Sequence, residues 1–344
     1  MATSLNTPKG CLVVGLSGSE TGRGLLLSAV SLARRFDLRL QLVSVIEPVP
    51  FDLVAFDSPA YLAYPPVNLE IEVQRVKERE QELSQLVREL GQKHGLNVAA
   101  TVRVGAAAPN LIAEARAQHA NLIMSGYDAE AFREGVSGFT TTLTLMHEAP
   151  LPVLAVPQSK TLEFSKPHLR ILLADDLQDS TKEACYKAYE LAAAVPGSHL
   201  RHVHVFADLQ EKIRHAWQVI KERTHLQVGG VTPGSEEEAM AQELKVRKEK
   251  LRAHAQPFLR AAEEHKVKIE YDLRSGNVDR ELDAAQRDHS ADLAVFGRHR
   301  IIHTRPLLVG RVSFRAMLHS GAGVLVVPPR GELYAALPFP GAHA

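Results

Sequence analysis

The chain has 344 residues, 45% hydrophobic and 23% charged, with 40 Lys plus Arg against 40 Asp plus Glu. This is an ordinary globular composition, long enough for two domains, and zero formal charge excludes a long-range pull towards nucleic acid or an anionic membrane. No run approaches the ~18 apolar residues of a membrane span, and the first ten residues carry no apolar targeting region, so the expectation is a cytoplasmic protein that binds no nucleic acid.

In chain order, 11–16 is an unbroken apolar run of strand type, and 22–36 a helix with Leu25, Ala29, Leu32 and Phe36 on one face. A second strand follows at 40–46. Then comes a Pro-rich segment, 47–68, whose Phe51, Phe56, Tyr61 and Tyr64 suit a cover over a cleft or the wall of an apolar pocket. The amphipathic helix at 69–94 carries Val73, Val76, Leu83, Leu86 and Leu90 at helical spacing. Core packing with a solvated charged face is the plain reading; partner docking is the alternative. The second half repeats this series with strands at 169–174 and 200–207 and helices at 181–194 and 236–266. The last of these helices carries Met240, Leu244, Leu251, Phe258 and Ala262.

The repeat is internal and spaced. Gly105, Gly126 and Pro157 recur 171 positions later as Gly276, Gly297 and Pro328, and the closing runs Val153–Val156 and Val324–Val327 match. Upstream the offset is 159–160, which places about eleven extra residues in the middle of the second half. Continuous apolar strands alternating with helices imply parallel sheets covered on both faces. The expected architecture is α/β, two doubly wound parallel-sheet domains in tandem. Domain 1 takes 1–158, a linker 159–168, domain 2 169–331 and a tail 332–344.

Such sheets bind ligands beyond the carboxyl ends of their strands, where the strand order reverses. In the second half Gly297-Arg298-His299-Arg300, nine residues, then Gly310-Arg311 follows the fourth strand, and Val324-Leu325-Val326-Val327-Pro328 closes the half. This resembles the universal stress protein family, whose fold is adenine nucleotide alpha hydrolase-like and whose loop is Gly-x2-Gly-x9-Gly-Ser/Thr. The resemblance runs over 9–330. It implies a stress-response binding or signalling module with AMP or ATP as candidate ligand. By that resemblance Asp175 matches the acid that holds adenosine, Val205 the backbone that meets adenine, and Gly276, Gly297, His299 and Gly310 the loop around phosphate and ribose, with Ser313 beside it. Arg300 and Arg311 replace a glycine and a hydroxyl residue of the pattern.

The first half departs further. Ser17 stands for the acid, Ala129 for a loop glycine, and Phe139-Thr140 for Gly-Ser/Thr; Val45 and Gly126 keep their places. A charge-assisted hydrogen bond lost there is worth about 1.5–3 kcal/mol, so domain 1 reads as a degenerate site and nucleotide is expected in domain 2 only. Arg298, Arg300, Arg305, Arg311 and Arg315 around the second loop suit an anionic ligand; they equally suit a solvated face, or Arg311 filling the phosphate position itself. The other functional reading is a non-nucleotide scaffold or a carrier of an apolar ligand.

Cys11 and Cys185 read as small core residues, and the 16 histidines include no Cys or carboxylate at zinc spacing, so no metal is expected. His202 and His204 alternate and share one face of a strand. Gly15-Leu16-Ser17-Gly18-Ser19 is similar to the loop of ATP pyrophosphatases but lacks its second glycine and Asp. No nucleophile–base–acid set is recognisable, so the protein is not expected to be an enzyme, with a weak ATPase left open. The resemblance further implies an intramolecular pseudo-dimer through the closing strands, with a further homodimer open.

Overall fold

The computed structural model describes residues 10–17, 22–48, 66–128, 140–158, 160–206, 218, 236–298, 316–317 and 321–329. The aromatic segment with Phe51 to Tyr64, the added residues of the second half, both glycine loops beyond Asp128 and Arg298, and the tail lie outside them. The chain divides into two compact units between Ser165 and Lys166. Among the described residues no helix is long and apolar enough to cross a membrane.

In the first unit the strands are β1 (Gly10–Leu16), β2 (Leu38–Ile46), β3 (Val98–Val104), β4 (Leu122–Tyr127) and β5 (Val153–Pro157). They pair in the order β3-β2-β1-β4-β5, all parallel. Leu12 lies between Leu40 and Leu122, and all three are buried, as a sheet covered on both faces requires. The helices are α1 (Arg23–Phe36), α2 (Pro66–His94), α3 (Ala107–Ala117) and α4 (Thr140–Glu148). α1 buries Leu25, Ala29, Leu32 and Phe36, the face its spacing marks. On α2 Leu83 and Leu90 are buried, but Val73 is 46% exposed and outside the core. The helix extends past the edge of the apolar surface it covers.

The second unit has β6 (Arg170–Ala174), β7 (His199–Phe206), β8 (Lys268–Ser275), β9 (Leu293–Gly297) and β10 (Gly323–Val327), in the order β8-β7-β6-β9-β10. Its pairs are parallel too. A 3-10 turn at Asp179–Thr181 leads into α5 (Lys182–Ala194). The helix read as one piece over 236–266 is two, α6 (Glu236–Ala255) and α7 (Leu259–Glu264), separated by a 3-10 turn at Gln256–Phe258. Pro257 explains the break, because it has no N–H for the helical ladder and its ring crowds the preceding turn. Phe258, Leu251 and Ala262 are nevertheless buried. α8 (Val278–His289) is capped by the Asn277 side chain, which accepts from the Arg280 N–H at 3.2 Å.

The duplication is written in contacts as well as letters. Asn121 Oδ1 accepts from the Cys11 N–H at 2.9 Å; Asp292 Oδ2, at the matching place, accepts from the Arg170 N–H at 3.0 Å. Gly105 and Gly276, which end β3 and β8, have φ of +126° and +140°, a backbone that side chains rarely adopt. Gly276→Ala is therefore expected to destabilise the second unit by about 1–3 kcal/mol, read as a lowered urea midpoint with an unchanged m-value.

The segment read as a linker is docked rather than loose. Leu162 and Phe164 are buried, and their N–H groups donate to Ser28 Oγ and Ser31 Oγ of α1, each at 2.8 Å. Ser28→Ala leaves a buried N–H without its acceptor, so a loss of about 1 kcal/mol is expected, with faster proteolytic cleavage at 160–165.

Candidate functional site

The two switch points, between β1 and β4 and between β6 and β9, are built from matching residues and end differently. In the first unit a cavity of ≈ 570 Å³ opens beyond the strand ends. Ser17, at the end of β1, Val45, on β2, and Gly126, on β4, all line it. Leu16, Leu25, Val43 and Leu111 form an apolar wall, and Ser125 and Thr142 a hydroxyl pair 2.8 Å apart. Thr142 also donates to the Gly126 carbonyl at 2.8 Å. A side chain at Gly126 would first meet Gln158 at 3.1 Å and Leu25 at 3.3 Å, so the glycine keeps this floor low. Of the other two positions of the first site, Thr140 opens α4 and Ala129 lies outside the described residues.

Arg79, on α2, reaches over this opening. Its Nε donates to Ser44 Oγ at 2.8 Å and its Nη2 to the Ser17 carbonyl at 3.1 Å, while Nη1 pairs with Glu82 at 2.6 Å. The guanidinium thus ties the ends of β1 and β2 and stands at the mouth beside Arg75, Glu78 and Glu82. Nothing in the sequence singles out Arg79; the polar face of α2 reads as solvated.

In the second unit Asp175 follows β6, at the place of Ser17, but its side chain is fully buried. Oδ1 accepts from Thr181 Oγ1 at 2.7 Å and from the Leu177 N–H at 2.9 Å; Oδ2 accepts from the Nε2–H of His202 at 3.0 Å. Burial pushes this carboxyl up, but the hydrogen bonds from His202, Thr181 and Leu177 outweigh it and hold the group at about 2. His202, wholly buried, is pushed down by burial and stays neutral. Tyr189 Oη lies 3.0 Å from its Nδ1, and the Nδ1–H of His204 donates to the Asp175 carbonyl at 2.6 Å. The two alternating histidines do share a face, and both serve one residue.

Asp175 as placed is therefore not the wall of a cleft, contrary to what the sequence suggests. Gly297 differs from expectation for a related reason. A Cβ there would lie 2.8 Å from Thr181 Cγ2 and 3.0 Å from Thr181 Cα, so the glycine admits the chain's own turn at Asp179–Thr181. Val205 is half-buried on β7, and Gly276 ends β8. His299, Arg300, Gly310, Arg311 and Ser313 lie outside the described residues.

Both cysteines are free and buried, as core residues should be. Burial pushes the Cys11 thiol up to about 11 and raises Cys185 further, so neither is a ready nucleophile. Chain spacing hides that Cys185 sits beside Asp175 and His202, their ligand-capable atoms all within 4.8 Å of one another.

Comparison with known proteins bears on both halves. The universal stress protein family model matches residues 12–157 and 168–328. A universal stress protein from Archaeoglobus fulgidus DSM 4304 is similar in structure, with TM-score 0.61 and 14% identity, over 93% of this chain and 97% of that one. A functionally unknown protein from Pseudomonas aeruginosa PAO1 gives TM-score 0.57 and 15% identity, over 94% of each chain. At such identities the likeness speaks to the fold. No curated protein matches the chain in sequence. With both halves matched, and with the same doubly wound sheet in each, the chain belongs to the universal stress protein family.

Proposed function

We propose that the chain is a small-molecule-binding and signalling module of the stress-response kind, whose ligand enters the first-unit cavity, with AMP or ATP as the candidate. The observation that carries this is the contrast at the two switch points among the described residues: an opening of ≈ 570 Å³ at Ser17 and Gly126, against a buried carboxylate bonded by Thr181 and His202 and a glycine crowded by Thr181. That volume suits a small-molecule site. The Arg79 guanidinium at the mouth suits phosphate, and the wall of Leu16, Leu25 and Val43 suits a base. A nucleotide held in the second domain only, through Asp175, would require that carboxylate to leave three buried donors. The apolar wall also favours the second reading, a carrier of an apolar ligand.

Binding rather than catalysis is proposed because the described residues of the cavity wall include neither His nor Cys; phosphate release on incubation with ATP would contradict it. A cytoplasmic location, the pseudo-dimer and a further homodimer belong to the same proposal, and small-angle scattering showing two separately tumbling domains would remove the pseudo-dimer. The decisive experiment is mass spectrometry of small molecules carried by the purified chain, followed by AMP and ATP titration calorimetry. Wild type, Ser17→Trp and Asp175→Asn are compared. Binding lost in Ser17→Trp and kept in Asp175→Asn supports the first-unit site; the reverse moves the site to the second unit. A co-purified apolar molecule with no nucleotide heat supports the carrier.

A further inference from the structure

We propose that Asp175, Cys185, His202 and His254 of the second unit form a site for one divalent transition-metal ion of the zinc class. The four come from four elements: the end of β6, α5, β7 and α6. Atoms of Asp175, Cys185 and His202 that can bind a metal lie within 4.8 Å of one another. His202 Nε2 is 3.0 Å and His254 Nε2 3.4 Å from the same oxygen, Asp175 Oδ2. Zinc bonds of about 2.0–2.3 Å in a tetrahedron put ligand atoms roughly 3.3–3.8 Å apart, so Asp175, Cys185 and His202 need only small side-chain adjustments to close around an ion. His254, 3.4 Å from Asp175 Oδ2 but outside that group of three, swings towards it as the fourth ligand.

Three further observations point to a cation. His254 Nε2 is buried and makes no hydrogen bond among the described residues, although it faces the carboxylate. Asp175 is a fully buried acid whose ion-pair partners among those residues are both imidazoles, with no Lys or Arg; a buried carboxylate is stabilised by a nearby positive charge. Tyr189 Oη, 3.0 Å from His202 Nδ1, holds that ring with Nε2 towards the cluster, the outer-shell support a metal-binding imidazole has. Thr181 and the Leu177 N–H occupy Oδ1 and leave Oδ2 for the ion.

One thiolate, two imidazoles and one carboxylate are too soft a set for magnesium or calcium, which take oxygen ligands. Four protein ligands leave no open position, so the ion is structural, fastening α5 and α6 to the sheet. On binding, the Cys185 thiol gives its proton to solvent. The His202 proton moves from Nε2 to Nδ1, where it is donated to Tyr189 Oη, and Asp175 is already ionised. One proton is released per ion. The inference does not depend on what occupies the first-unit cavity.

The test uses the full chain, chelator-treated, reduced and titrated with cobalt(II). One equivalent should give the intense visible bands of a tetrahedral ion and a near-ultraviolet thiolate charge-transfer band, both bleached by zinc. Cys185→Ser should abolish the charge-transfer band, and His254→Gln should weaken cobalt binding at least tenfold while leaving the circular dichroism of the metal-free chain unchanged. Octahedral spectra without a thiolate band, or spectra indifferent to both substitutions, would overturn the site and assign the uptake to other histidines. If Cys185→Ser does not fold, zinc X-ray absorption of the wild-type chain decides: one sulfur in the first shell sustains the proposal, and a shell of nitrogen and oxygen alone ends it.

Discussion

Asp175→Ala, measured in chelator-treated protein, should destabilise the second unit by about 3–5 kcal/mol, the usual cost of removing one member of a buried ionic pair. Three bonds are lost together: those from the Leu177 N–H and the Nε2–H of His202, and that from Thr181 Oγ1, which keeps Asp176 Oδ1 and the Gln178 carbonyl within reach, each at 2.9 Å. None is replaced by water, because the side chain is fully buried. Leu177 adds to the effect, since it is held at φ +62° by the bond to Oδ1, a conformation a leucine adopts at a cost. Asp175→Asn keeps an acceptor for Thr181 and Leu177. Its NH2 would face His202, which can answer by moving its proton to Nδ1 and accepting at Nε2, so the loss should be clearly smaller. The pH dependence has a definite sign. The folded carboxyl is held at about 2, below its ordinary value, so its contribution is complete above the ordinary carboxylate range and disappears as pH falls towards 2. Urea midpoints of wild type, Asp175→Ala and Asp175→Asn check the order; an Asp175→Ala variant as stable as wild type would show that the buried network contributes nothing.

The same residue shows where sequence reading reaches its limit. The repeat was legible because parallel strands buried on both faces are forced into apolar runs, and because Gly105 and Gly276 both need a positive φ at the end of a strand. Core positions such as Leu83, Leu251 and Phe258 followed from helical spacing, which depends only on which face is covered. The site was less legible. A glycine after a strand says that something approaches the backbone closely, and nothing local says whether it is a ligand or the chain itself. At Gly126 the neighbours are side-chain ends beside a cavity; at Gly297 the neighbour is Thr181, by its Cγ2 and its Cα alike. An acid after a first strand is similarly ambiguous. Asp175 is turned inward by His202 on β7, and His254, which stands beside it, comes from a helix 79 positions further along the chain. Those partners are set by how the unit packs, which pairwise spacing along the chain does not encode. Arg79 was hidden for the opposite reason: on an amphipathic helix dense in charges, the one guanidinium that turns back over the sheet looks like its solvated neighbours.

Ser17→Trp should lower ligand affinity at least about a hundredfold, roughly 2.7 kcal/mol. Ser17 is exposed at the rim, so a larger side chain there meets no packed core, and thermal stability should stay within about 0.5 kcal/mol of wild type, as for an ordinary surface substitution. What changes is the space. An indole at the end of β1 is directed at an opening that Val45, Gly126 and Thr142 also line, and it takes the volume where a base or ribose would rest. Arg79 keeps its bond to residue 17, because that bond is to the main-chain carbonyl, so its charge remains at the mouth. Loss of binding in this variant therefore reports occlusion rather than removal of the guanidinium. Ser17→Ala is the matched control and should bind within a few-fold of wild type, since it preserves both the carbonyl and the cavity. Arg79→Gln completes the set: for AMP or ATP it should cost about tenfold by removing the cation, and for an apolar ligand it should cost almost nothing. Titration calorimetry across the three variants thus reads the chemistry of the ligand as well as its place, and a Ser17→Trp variant that binds as tightly as wild type would remove the first-unit cavity as the site.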